Sequence, residues 1–140
     1  MRAATRTQRP VRPHRPLANR CVLALLRSPL RRLLDPGLRE LRYRALRSGR
    51  TIALPVMFAQ SGDRFIVLVG NAPAKVWWRH FRTPAAVEVR RGRRVRPGIG
   101  RVIRPDDDGY AEAVRVYAAR HQLVPQGDEQ LVVIDTAPPA

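Results

Sequence analysis

Hydrophobic positions change their period several times along the chain. Residues 1–19 repeat Arg and Pro without an apolar period. Proline removes backbone donors and interrupts helix, so this stretch is expected to be a flexible basic arm. Residues 20–34, RCVLALLRSPLRRLL, space Leu23, Leu26, Leu30, Leu33 and Leu34 by three, four, three and one. That spacing predicts a helix with one leucine face, arginines opposite and a break near Pro29. After Asp35-Pro36-Gly37, residues 38–47 are read as a second short helix, so that 20–48 forms an amphipathic helical segment.

From Thr51 the pattern becomes β-branched. TIALPVMFAQ and RFIVLVG flank Ser61-Gly62-Asp63 and predict an antiparallel hairpin. NAPAKVWWRHFRTP predicts a loop and a short helix from about Ala74 to Arg82, closed by Thr83-Pro84. AVEVRR and RVRPGIGRVI turn at Gly92 into a second hairpin. A helix follows over 109–121, with Asp106, Asp107 and Asp108 expected at its start, where carboxylates meet the positive end of the helix dipole. QLVVIDT is a closing strand. The order predicts a mainly β, α+β domain over 49–137: a small antiparallel barrel with flanking helices, not a doubly wound parallel sheet.

Charge changes this picture at one end of the chain only. Of 140 residues, 27 are Lys or Arg and 11 Asp or Glu, giving +16. Residues 1–50 hold 14 Arg against Asp35 and Glu40, a net +12, whereas the remaining 90 residues carry +4. A basic half of this kind suits nucleic acid or an anionic surface. However, the arm has no interleaved aromatics and the folded part no recognition helix, which argues against nucleic acid. Since 26 of the 27 cations are arginine, codon bias explains part of the excess. Cys21 is the only cysteine, which excludes an internal disulfide or a thiolate metal site, and no metal site is expected. No run reaches the roughly 18 apolar residues of a membrane span. The six-residue stretch CVLALL is too short for a secretory signal, so a cytoplasmic protein is expected.

The stretch Gly49 to Val89, GRTIALPVMFAQSGDRFIVLVGNAPAKVWWRHFRTPAAVEV, resembles the deazaflavin (F420)-dependent nitroreductase family of the split β-barrel flavin and deazaflavin oxidoreductase superfamily. The matching parts are a Gly-Arg-x-x-x-x-Pro-Val strand, a Gly-Asp-Arg turn, a strand ending in Gly and a Trp-Trp-Arg-x-Phe-Arg helix before a Val-x-Val strand. The resemblance implies an FMN-binding-like split barrel that uses coenzyme F420, or alternatively FMN. The implied reaction is hydride transfer to a quinone, nitro compound or other electron-poor acceptor. A flavin or haem binder of the same fold is the alternative, and a homodimer is implied as well.

In the implied site, Arg50 and Thr51 with Lys75 and Arg79 would meet the cofactor phosphate, since guanidinium, ammonium and hydroxyl groups match phosphate oxygens. The backbone of Gly70, Asn71 and Ala72 would hold the tail or ring edge. Pro55, Trp78 and His80 complete the implied lining, His80 standing where the family usually has Asn. Tyr117 and His121, four apart on one helical face, are the catalytic candidates as substrate-pocket donors. Together the basic arm and the leucine face suggest a peripheral hold on the inner face of an anionic membrane.

Overall fold

A computed structural model describes residues 16–69, 77–122 and 130–137. Most of the expected arm, 1–15, lies outside the described residues. Helix α1, Pro16–Arg27, begins inside the arm's expected limits, with proline in the first turn, where its missing N–H costs no helical bond. Leu23 and Leu26 are buried, but the leucine face ends there: Leu30 and Leu33 are 56% and 82% exposed. The reason is Pro29, which starts a separate 3-10 helix, Pro29–Leu33, capped by Ser28, whose Oγ accepts from the Leu30 N–H at 3.2 Å. This tighter winding shifts the angular phase of the later leucines.

The second helix expected over 38–47 does not form. Leu38–Arg44 is strand β1, paired along its whole length with β2 (Thr51–Met57) and centrally with β5 (Ala85–Arg91). Arg, Leu and Glu favour helix in isolation, but pairing on two sides and the inward alternation of Leu41 and Tyr43 override that preference.

The predicted hairpin over 51–69 is also divided. Its first run breaks at Phe58 into β2 and β3 (Ala59–Ser61), and only β3 pairs with β4 (Arg64–Val69). With β6 (Arg94–Ile103) and β7 (Gln130–Thr136), the fully antiparallel sheet runs β2-β1-β5-β6-β7-β4-β3. Its two edges are thus consecutive pieces of one segment, so the sheet curls into a barrel around the bend. The Phe58 N–H donates to the Gly37 carbonyl at 2.8 Å, and a Cβ on Gly37 would lie 2.8 Å from the Phe58 oxygen. Glycine therefore permits the approach that bends the strand.

Inward alternation fills the barrel with Leu41, Val56, Phe65, Val87, Val132 and Ile134. Helix α2, Tyr110–His121, covers the outer face of β3, β4 and β7, packing Tyr110, Ala113 and Tyr117 on Ile66, Leu131 and Val133. Strand β7 is buried on both faces, which explains its unbroken apolar run. The aspartates before α2 do not cap it. Gly109 is its N-cap, with φ of 83° and no side-chain bond, while the Asp107 carboxylate accepts from the Arg104 N–H at 2.8 Å and closes the preceding turn.

The barrel has two distinct ends. One carries the β1–β2 hairpin and the start of β5; the other carries the β5–β6 hairpin, the Gly62-Asp63 turn and the bend at Phe58.

Candidate functional site at the hairpin end of the barrel

The chain leaves β4 at Val69 and returns as a 3-10 helix, Trp77–Arg82, that packs on the barrel before β5. Residues 70–76 lie outside the described residues, and with them the candidates Gly70, Asn71, Ala72 and Lys75. Aromatic packing fixes the 3-10 helix. Phe81 is fully buried, and a Cβ on Gly100 would stand 2.7 Å from its ring, so only glycine lets the helix seat against β6. Trp77 meets the Phe81 ring edge-on at a centroid distance of 6.3 Å. Trp78 is buried beneath two guanidinium groups, Arg79 at 5.9 Å and Arg82 at 5.1 Å from its ring.

His80 stacks on Tyr43 with centroids 4.4 Å apart, and both rings meet Phe81 edge-on. Tyr43 pairs with Ile52, one residue from Thr51 and two from Arg50, so this stack adjoins the β1–β2 hairpin. Burial pushes the Tyr43 hydroxyl above its usual pKa of 10.0 and lowers His80 below 6.5. Both groups are thereby held neutral at pH 7.

Arg50 and Thr51 are exposed at the hairpin, whose turn is closed by the Ala45 N–H donating to the Arg50 carbonyl at 2.9 Å. Among the described residues, Arg44, Arg47, Arg50, Arg79 and Arg82 have no carboxylate at ion-pair distance; the ion pairs involve other arginines. The arrangement sets the partly exposed Trp77 and His80, over the buried rings of Tyr43, Trp78 and Phe81, beside uncompensated positive charge.

The structure thus gathers Arg50, Thr51, Trp78, Arg79 and His80 at one end. It does not bring Pro55 or the two catalytic candidates there. Pro55 pairs with Glu40, further along the strand, and alternates out of phase with the inward Leu54 and Val56. Tyr117 is buried in the outer cluster under α2. His121 lies 4.4 Å from the Tyr117 ring, and its Nε2 is 3.1 Å from the carbonyl oxygen of Phe58, at the other end of the barrel. Tyr43 and Arg82 were not among the expected site residues. The alternation Leu41-x-Tyr43 was the available signal for Tyr43, masked by the helical composition around it.

Two hollows lie elsewhere: one of about 200 Å3 between α2 and β4, lined by Arg64 and Glu112, and one of about 140 Å3 around Glu40. Neither contains a candidate residue.

No family model and no curated protein matches the sequence. Solved structures do. One, described as a domain-swapped dimer, superposes with a TM-score of 0.56 at 13% identity over 73% of this chain and 82% of its own. Another, described as an F420-H2 dependent reductase, gives 0.54 at 15% identity over 73% of this chain and 96% of its own. Together with the antiparallel sheet that closes on its own bent strand and carries helices on its flanks, these likenesses show that the chain adopts the split β-barrel fold.

Proposed function

We propose that this chain is an oxidoreductase that binds reduced coenzyme F420 at the hairpin end of the barrel and passes hydride to a quinone, nitro compound or other electron-poor acceptor. The observation that carries this reading is the partly exposed His80 ring, backed by buried Tyr43, set beside arginines that have no carboxylate partner among the described residues. That set fits an anionic cofactor with a planar ring: the imidazole face receives the ring edge, and guanidinium groups receive its phosphate. The fold shared with an F420-H2 dependent reductase supports the same assignment.

When bound, the deazaflavin supplies the hydride. The chain supplies position and electrostatics. Arg50, Thr51 and Arg79, with Lys75 from outside the described residues, would hold the cofactor's phosphate, while Trp78 is held under Arg79 and Arg82 and stiffens the helix that carries them. His80, held neutral by burial and fixed by its stack on Tyr43, presents an imidazole that can donate or accept a hydrogen bond. With Tyr117 and His121 on the outer face, His80 and Tyr43 are the neutral titratable pair at this end. The likeness to a domain-swapped dimer supports a homodimer. Exposed Leu30 and Leu33, interleaved with Arg31 and Arg32, support peripheral contact with an anionic membrane at its cytoplasmic face.

The test is titration of the full chain with F420, FMN, FAD and haem, followed by quenching of Trp77 and Trp78. Saturable quenching by F420 alone, weakened at least tenfold by Arg79→Ala or Arg50→Ala, is expected. Quenching by FMN or haem with F420 inert would replace the deazaflavin by the other cofactor, and no quenching by any of them overturns the reading.

A further inference from the structure

The opposite end of the barrel carries a second concentration of charge, built differently. Arg91 of β5 lies directly opposite Arg94 of β6, and Arg39 of β1 stands one step beyond the Glu40–Arg90 pair, beside Arg91. Directly opposed residues of antiparallel strands share a face, so three neighbouring strands set three arginines in one transverse row. Arg39 has the inward phase of Leu41 and Tyr43, and its guanidinium lies 5.3 Å from the centroid of the fully buried Phe65 ring. Arg96, two residues along β6, approaches the same ring at 5.8 Å.

Two of these four side chains are committed. Arg91 donates to the carbonyls of Arg31, Leu34, Asp35 and Leu38, holding the 3-10 segment to the barrel. Arg96 donates to the Asp63 carboxylate and the Thr136 hydroxyl, both at 2.8 Å. Asp35, another acid at this end, accepts from the Gly37 N–H and from Arg120, and Glu40 is taken by Arg27 and Arg42. Among the described residues no carboxylate reaches Arg39 or Arg94. Burial above all, and then the positive charges of Arg91, Arg94 and Arg96, weaken the hold of Arg39 on its proton. Like charges directly opposed across a sheet are destabilising, so the row calls for an anion.

We propose that Arg39 and Arg94, framed by Arg91 and Arg96, form a phosphate-binding site at the barrel end remote from the candidate cofactor site. Two uncommitted guanidinium forks match a phosphate group, which takes parallel N–H donors on separate oxygens and carries nearly two negative charges. The phosphate belongs to a free ion or to a lipid headgroup, and the two sources are separable by experiment.

Thermal unfolding of the full chain, with sodium phosphate replacing sodium chloride at fixed ionic strength, tests the site in wild type, Arg39→Met, Arg94→Gln and Arg115→Gln. Arg115→Gln removes one exposed charge on α2, away from both sites, and controls for general screening. Inorganic phosphate is expected to raise Tm saturably in wild type and Arg115→Gln, with the shift at least halved in Arg94→Gln and lost in Arg39→Met. Without phosphate, Arg39→Met is expected to melt at or above the wild-type temperature. If inorganic phosphate is inert but sedimentation with phosphatidate vesicles, and not phosphatidylcholine vesicles, is lost in the same two variants, the phosphate is a headgroup. An equal response in all four proteins, or none to either probe, overturns the site. Arg94 is exposed on a hairpin, so Arg94→Gln decides the matter even if Arg39→Met fails to fold.

Discussion

The imidazole of His80 lies on the phenol ring of Tyr43, centroids 4.4 Å apart and planes inclined by 28°. This contact joins the 3-10 helix to β1 and gives the protein a pH signature. His80 is lowered below 6.5 by burial, so just under that pH the unfolded chain binds a proton that the folded chain does not. Its contribution to stability is complete above pH 6.5 and is lost as pH falls through the lowered value. NMR titration of His80 should give a midpoint below 6.5, and His80→Phe should flatten the decline in stability below pH 6.5. A midpoint at or above 6.5 contradicts the burial of the ring. Tyr43, raised above 10.0, acts on the alkaline side, where its contribution is lost as pH rises through the raised value.

Gly100→Val tests the seating of the 3-10 helix. The new side chain begins 2.7 Å from the Phe81 ring, closer than side-chain atoms pack, and overpacking of this kind costs about 1–3 kcal/mol. Urea unfolding should report that loss, together with a shifted emission from Trp77 and Trp78. Unchanged stability and emission would mean that the helix does not rest on Gly100.

Glu40 is 3% exposed and pairs with Arg27 at 2.8 Å and Arg42 at 2.7 Å, tying α1 to β1. Its partners are half and one-third exposed, so they regain water when it is removed. Glu40→Gln should therefore cost about 2 kcal/mol, below the ~3–5 kcal/mol of a fully buried pair. Arg27→Ala should cost under about 1 kcal/mol in the same urea series. Equal losses would show that the carboxylate is not the centre of the network.

His121→Ala removes the contact with the Phe58 carbonyl and the ring packed on Tyr117. A loss of about 1 kcal/mol is expected from one hydrogen bond of this kind. Because His121 lies away from the hairpin end, F420 quenching should keep its wild-type affinity. A tenfold weaker affinity in a fully folded variant would place His121 in the site after all.

Much of the barrel was legible because its strands alternate or run apolar within a few residues: the β5–β6 hairpin around Gly92, the doubly buried β7 and the helix over 110–121 all have local causes. The candidate site was named from two local runs, Arg50 and Thr51 in one and Trp78, Arg79 and His80 in the other, and the structure places both runs at one end of the barrel. Strand β1 was not legible, because LRELRYR has the composition of a helix and becomes a strand only between β2 and β5.

The sequence by itself determined the alternation that fills the barrel, the glycines at its tight approaches and the excess of arginine. Only the tertiary structure decided where that charge collects. Strand pairing aligns residues far apart in the chain, so it alone could stack His80 on Tyr43, split 51–61 between the two edges of one sheet, and set Arg39, Arg91 and Arg94 in a row. These are consequences of register, a relation between strands that no local run of residues contains.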